Sequence, residues 1–177
     1  MARTSIVAST AFLLVASAAR SEPAQASPPG HQAGNEAAVL ATVDRYLAAI
    51  SARDFDAMAA LQMPDGMTFV SRPQEGGGNQ IVARSNSYWL DPSRAAGPPL
   101  RERYWSPTVL VRGQIAVVWA PYEFWIDGKT SHCGVDVIDL VEVDGAWRVA
   151  NMMWTVEPSA CAALRPADAS AIRPAGE

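Results

Sequence analysis

The sequence predicts an α+β domain: a curved antiparallel sheet of about four long strands plus one short strand, with three N-terminal helices on one face. Three observations predict it. Leu40, Val43, Leu47 and Ile50 recur at helical spacing. Runs of β-type residues fill 100–157. Within them, Asp127-Gly128 and Asp144-Gly145 separate alternating apolar stretches. An Asp-Gly pair suits a two-residue hairpin, because a type I′ turn needs φ > 0 at both central positions.

An export-type leader stands in front. Residues 8–19 are apolar and rich in small side chains, Arg3 precedes them, and Ala16-Ser17-Ala18 and Ala24-Gln25-Ala26 offer small-x-small sites. This is the grammar of a signal peptide over residues 1–26. The apolar run is shorter than the roughly 20 residues of a bilayer span. Ser27-Pro28-Pro29-Gly30 opens a disordered lead over 27–34. The domain is expected over 35–161, and residues 162–177, rich in Ala and Pro, read as a flexible tail. The mature protein is therefore expected in the periplasm or outside the cell, with no membrane attachment.

Losing residues 1–26 removes Arg3, Arg20 and Glu22, which takes the net charge from −4 to −5. A mildly acidic chain without a Lys/Arg cluster is a poor partner for nucleic acid or an anionic membrane. Cys133 and Cys161 are the two cysteines. In an exported protein such a pair points to a disulfide. Neither CxxC nor zinc-type His/Cys spacing occurs, so no metal or cofactor is expected.

The elements follow in order. Asn35 can cap a helix over about Glu36 to Ser51. Asp54 can cap a shorter helix through Phe55, Met58 and Leu61, which Pro64-Asp65-Gly66 stops. Residues 67–71 read as the short strand. Residues 72–80, with Gly76-Gly77-Gly78, read as a linker or lid; no Lys-Ser/Thr follows to make a phosphate loop. Ser85 can cap a short helix carrying Tyr88, Trp89 and Leu90. Residues 100–111 read as one long strand, turning at Arg112-Gly113 into the run from Ile115.

Two-residue turns fix a register. His132 then lies between Glu123 and Glu157, and Asp136 between Trp119 and Met153. Ile138 lies between Val117 and Asn151, and Leu140 between Ile115 and Val149. This face grades from apolar at Leu140 to polar at His132, as a pocket with a dry floor and a polar rim would. The opposite face carries Phe124, Tyr122, Val118, Val135, Val137, Trp154 and Met152, and something must cover it: a second copy of the chain, a loop or the C-terminal segment. A bulge would shift every pair beyond it.

The order of elements, with Tyr122-Glu123-Phe124, Asp127-Gly128-Lys129, residues 131–136, Asp144-Gly145-Ala146-Trp147-Arg148-Val149 and the late Cys161, resembles the nuclear transport factor 2-like, cystatin-like cone superfamily. It is most similar to an exported branch of unknown function near the SnoaL-like groups. The resemblance covers about Asn35 to Cys161. It implies helices and sheet closing around a cone-shaped pocket, with a carboxylate, His or Tyr facing the cavity. It implies fold more strongly than activity, because the superfamily hosts isomerases, dehydratases, cyclases and hydrolases.

By that resemblance Asp136 and His132 are the candidate acid/base residues. Burial of Asp136 among apolar neighbours should raise its pKa, which suits a general acid or base; a satisfied structural carboxylate is the alternative. Carboxylates beside His132 would favour its charged form. They could make a metal site with it, though a structural polar cluster at the rim is preferred. Tyr46, Trp89, Trp105, Trp119 and Trp125 are candidates to line a site for a flat ligand, or else core; Asn151 and Glu123 add polar contacts. Arg84 could meet an acidic group, but a surface charge is the blander reading. The expected function is binding of a small apolar or aromatic molecule. The alternatives are a cofactor-free isomerase, dehydratase or hydrolase, and a homodimerising or partner-binding domain.

Overall fold

A computed structural model describes residues 29–168 and 172–174. The expected signal peptide and the first two residues of the lead lie outside them. Helix α1 (Pro29–Ala52) is longer than its apolar stripe and takes in most of the expected disordered lead. Proline is well suited to a first helical turn, where its missing N–H costs nothing. Val39, Val43 and Leu47 of α1 are buried. Helix α2 (Phe55–Leu61) is capped as expected: Asp54 Oδ1 accepts from the Ala57 N–H at 2.9 Å. No helix among the described residues is long and apolar enough to cross a membrane.

Strands β1 (Met67–Pro73) and β2 (Asn79–Ser85) form a hairpin. The expected lid is that hairpin's turn, where Gly76, Gly77 and Gly78 all take positive φ. Residues Asn86–Leu90 form a 3-10 segment rather than an α-helix. Buried Asn86 holds it down, its Nδ2 donating to Met63 O at 2.9 Å and Ala150 O at 3.2 Å. The long strand expected over 100–111 is two, β3 (Leu100–Trp105) and β4 (Thr108–Arg112). Ser106 at φ 45° and Pro107 interrupt it, yet both pieces pair with β5 (Ile115–Ile126).

Strands β5, β6 (Lys129–Val143) and β7 (Ala146–Thr155) are the expected meander. Asp127, Gly128, Asp144 and Gly145 take φ of 53°, 71°, 54° and 76°, as type I′ turns require. The C-terminal region, expected as a flexible tail, contributes helix α3 (Cys161–Leu164) and edge strand β8 (Ile172–Pro174), which pairs with β3. The sheet runs β2-β1-β7-β6-β5-β3-β8, with β4 also on β5; β1 and β7 are parallel.

One bulge enters each long hairpin. Trp125 pairs with Thr130 but Phe124 with His132, so Ser131 is the extra residue. Leu140 pairs with Val149 but Asp139 with Asn151, so Ala150 is extra. Because side chains alternate, each bulge exchanges the two faces of the neighbouring strand beyond it. Leu140 keeps Val149, as expected. Asp136, however, lies between Ala120 and Trp154, and Ile138 between Val118 and Met152. The inner face thus carries Tyr122, Phe124, Val118, Met152 and Trp154, which the unbulged register put outside.

The outer face is covered at one end and exposed at the other. At one end the C-terminal segment lies on it. Cys161 is disulfide-bonded to Cys133, with Cα atoms 5.1 Å apart. Trp105 Nε1 donates to Leu164 O at 2.7 Å. At the other end a row of pairs crosses the sheet, Thr108–Trp119–Val137–Met153–Phe69–Ala83. Trp119, Met153 and Phe69 on it are 45%, 41% and 37% exposed.

Candidate functional site

The inner face, α1, α2 and the 3-10 segment enclose a cavity of about 300 Å³. Its walls are mostly apolar: Ile50, Phe55, Met58, Leu100, Phe124, Met152 and Trp154. The polar groups that reach it are few, which is the make-up of a small-molecule site. Tyr46, Trp89 and His132 line it, as expected from the sequence. Tyr46 is fixed by its hydroxyl donating to Gln62 Oε1 at 2.8 Å. Trp89 is fixed by Nε1 donating to Thr68 Oγ1 at 2.8 Å.

Glu102 is the carboxyl that lines the cavity. Leu100, Glu102 and Tyr104 alternate on β3, which brings Glu102 inward. That alternation, Leu-x-Glu-x-Tyr, is the one signal for it in the sequence, and Glu102 was not among the expected site residues. Behind Glu102 lies Asp136, buried at 1% exposure. No amide, hydroxyl or guanidinium among the described residues reaches either Asp136 oxygen. What faces it is the Glu102 carboxyl. Two carboxyls side by side out of water resist ionising together and favour keeping a proton. Burial raises both groups, and the Glu102 charge raises Asp136 further; Glu102 is pushed up to about 7. The pair is therefore proton-holding near neutrality, with Glu102 the member in contact with the cavity.

His132 is not among carboxylates. Its ring stacks on Phe124, with centroids 5.4 Å apart, and meets Tyr122 edge-on at 5.7 Å. Burial lowers its pKa, so the imidazole is neutral, opposite to the expectation. Its Nδ1 lies 3.0 Å from Ser131 Oγ on the bulge. Tyr122 completes this wall, donating from its hydroxyl to Thr155 O at 2.8 Å.

Five expected ligand contacts, Trp125 among them, lie elsewhere. Trp119 is on the outer face and half exposed, a consequence of the shifted register. Asn151 is also outside, its Oδ1 accepting from Met67 N at 3.1 Å. Trp105 is buried under the C-terminal segment. Glu123 is buried outside the cavity, paired with Cys133 across the strands. Arg103 Nη2 donates to its Oε2 at 2.6 Å, Thr130 Oγ1 to its Oε1 at 2.5 Å, and Arg165 pairs with Oε1. Burial alone would raise the Glu123 carboxyl, but the bonds from Arg165, Thr130 and Arg103 bring it down to about 2. The Arg103 guanidinium also lies over Trp125, 4.7 Å from the ring centroid. Glu123 Oε and the two cysteine sulfurs lie close together, but the sulfurs are bonded to each other and offer no thiolate. Arg84 is exposed and packs over the Tyr88 ring at 5.0 Å.

Comparison with known proteins agrees with this architecture. No curated protein matches the sequence. A protein of unknown function from Mycobacterium tuberculosis, Rv3472, superposes with a TM-score of 0.62 at 18% identity, over 81% of this chain and 86% of that one. The β subunit of a proposed aromatic-ring-hydroxylating dioxygenase from Novosphingobium aromaticivorans gives 0.59 at 15% identity, over 72% and 92%. A proposed dehydratase of the nuclear transport factor 2-like family from Streptomyces avermitilis gives 0.55 at 15% identity, over 71% and 97%. At these identities the likeness is one of fold. The family model for the SnoaL-like domain matches residues 39–153, from the buried stripe of α1 to near the end of strand β7. The chain belongs to the SnoaL-like domain family, and its fold is that of nuclear transport factor 2-like proteins.

Proposed function

We propose that the protein binds a small apolar or aromatic molecule in the cavity between helices and sheet, and that it does so after export. The carrying observation is the enclosed apolar volume with a proton-holding carboxyl, Glu102, on its wall. An apolar ligand gains by leaving water, and one carbonyl or hydroxyl on it finds a fixed hydrogen-bond partner. The Cys133–Cys161 bond is compatible with an oxidising compartment. Trp89 and Trp154 line the cavity and supply the readout. Titration with a library of aromatic compounds is expected to give saturable changes in tryptophan fluorescence. Silence across the library rejects the reading.

A second reading is a cofactor-free isomerase, dehydratase or hydrolase. One observation favours it: a carboxyl raised to about 7 is suited to exchange protons near neutral pH. Glu102, with Asp136 holding its proton, takes the part expected of Asp136 with His132. Turnover of a substrate that survives Glu102→Gln rejects that assignment.

The apolar row from Trp119 to Phe69 supports a homodimer through the outer face. A monodisperse monomer in light scattering rejects it.

A further inference from the structure

Two guanidiniums, Arg53 and Arg94, line the same cavity and make no ion pair among the described residues. Both are partly exposed, whereas Tyr46, Tyr122 and Glu102 are buried. The cavity is therefore polarised, with cations at its open end and the carboxyl pair at its closed end. The chain as a whole carries −4, so overall charge does not draw anions to it.

The local structure holds these cations in place. Arg53 follows α1 at φ 55°, a position that glycine usually takes at a helix end. A side chain there costs about 1 kcal/mol. Here it carries a guanidinium onto the loop before β3. Arg53 Nη1 donates to Arg94 O and Nη2 to Pro98 O, each at 3.0 Å. Gly97 leaves the room, since a Cβ there would lie 2.8 Å from Arg53 Nη2. The clamped loop presents Arg94, whose guanidinium carbon is 4.0 Å from the Tyr88 ring centroid and 5.5 Å from that of Trp89. Arg94 Nε is buried and has no hydrogen-bond partner among the described residues. Asp91, the nearest acid along this loop, is exposed and uses its Oδ1 to cap Ser93 N at 2.9 Å. A buried, unpaired guanidinium N–H is costly unless something accepts from it.

We propose that the occupant of the cavity is an amphipathic monoanion: an apolar body of one or two rings with a single carboxylate, held at the open end by Arg94 and Arg53. A carboxylate matches the planar fork of a guanidinium and accepts from the orphaned Arg94 Nε. A second anionic group at the closed end would face Glu102, so that end of the ligand is neutral. This assignment rests on the proposed ligand-binding function and names the ligand's class.

The test compares 2-naphthoate, 2-naphthylmethanol and 2-naphthylmethylamine by calorimetry on the purified protein. The acid is expected to bind roughly tenfold or more tightly than the alcohol, and the amine most weakly. Arg94→Gln is expected to erase most of the acid's advantage while changing the alcohol's affinity far less; an unshifted thermal midpoint checks its fold. Raising the salt concentration is expected to weaken the acid alone, which gives the same answer without a variant. If the alcohol binds as well as the acid, cavity binding stands and the anionic assignment falls. The assignment also falls if the acid keeps its advantage in Arg94→Gln. If none of the three binds, both the cavity function and this assignment fall.

Discussion

Two carboxyl sites lie on opposite faces of the same sheet, and both are out of water. On the outer face Glu123 is ionised, because Arg103, Arg165 and Thr130 surround it. On the inner face, among the described residues, Asp136 has only the Glu102 carboxyl facing it, and burial raises both. Burial is common to both, so burial does not decide charge; the partners do. The difference also separates two jobs. Glu123 fastens the C-terminal segment to the sheet, next to the Cys133–Cys161 bond. Glu102 presents to the cavity a carboxyl that burial raises to about 7.

The sharpest way to break this comparison is to remove a partner from one side. Arg103→Met leaves Glu123 buried with one cation fewer, and is expected to cost about 3–5 kcal/mol in urea unfolding. A loss under about 1 kcal/mol would show Glu123 to be better solvated than its surroundings indicate. The Cys133–Cys161 bond beside it should contribute about 3–4 kcal/mol by the chain-entropy model, so the comparison is made with the bond intact.

Acidity separates the two sites with opposite signs. The inner pair has folded pKa values above the unfolded ones. Its contribution is complete below about pH 4.5 and is lost as pH rises through about 7. Glu123 is depressed to about 2, so its contribution is complete above about pH 4.5 and is lost only as pH falls toward 2. Between pH 5 and 8, then, the pair should move the unfolding free energy downward by on the order of 2 kcal/mol, opposed by His132, whose buried imidazole resists the proton that the unfolded chain takes up. The double variant Glu102→Gln with Asp136→Asn should remove that fall, and a fall that persists would place its origin elsewhere.

The smallest effect is expected from Asp136→Asn alone at pH 5. It replaces a protonated carboxyl by an isosteric amide that can still donate to Glu102, and should shift stability by less than about 1 kcal/mol. The same change at pH 8 should stabilise. A large loss at pH 5 would mean that Asp136 is an anion there, like Glu123.

Much of the sheet was legible in the chain. Asp127-Gly128 and Asp144-Gly145 announced their turns by residue type, and their φ values follow. Asp136 could be placed inside because it alternates with Ile138 and Leu140 on one strand, a relation no partner can change. Glu123 was placed on the pocket face beside His132 but lies on the other, because its face depended on pairing across the Ser131 bulge. Trp119 and Asn151 were misplaced in the same way. Glu102 was missed because β3 is joined to β5 through the break at Ser106-Pro107, β4 and the turn at Gly113 rather than by a tight hairpin that fixes register.

By itself the sequence determined the two opening helices, the three-strand meander and the alternation along each strand, since these rest on local geometry and turn chemistry. Only the tertiary structure decided which strand faces coincide, that Glu102 meets Asp136, and that Arg53 and Arg94 share their cavity. Those facts depend on two single-residue bulges and on a loop held by one side chain. A one-residue offset costs little locally, yet it reverses which side chains face the core.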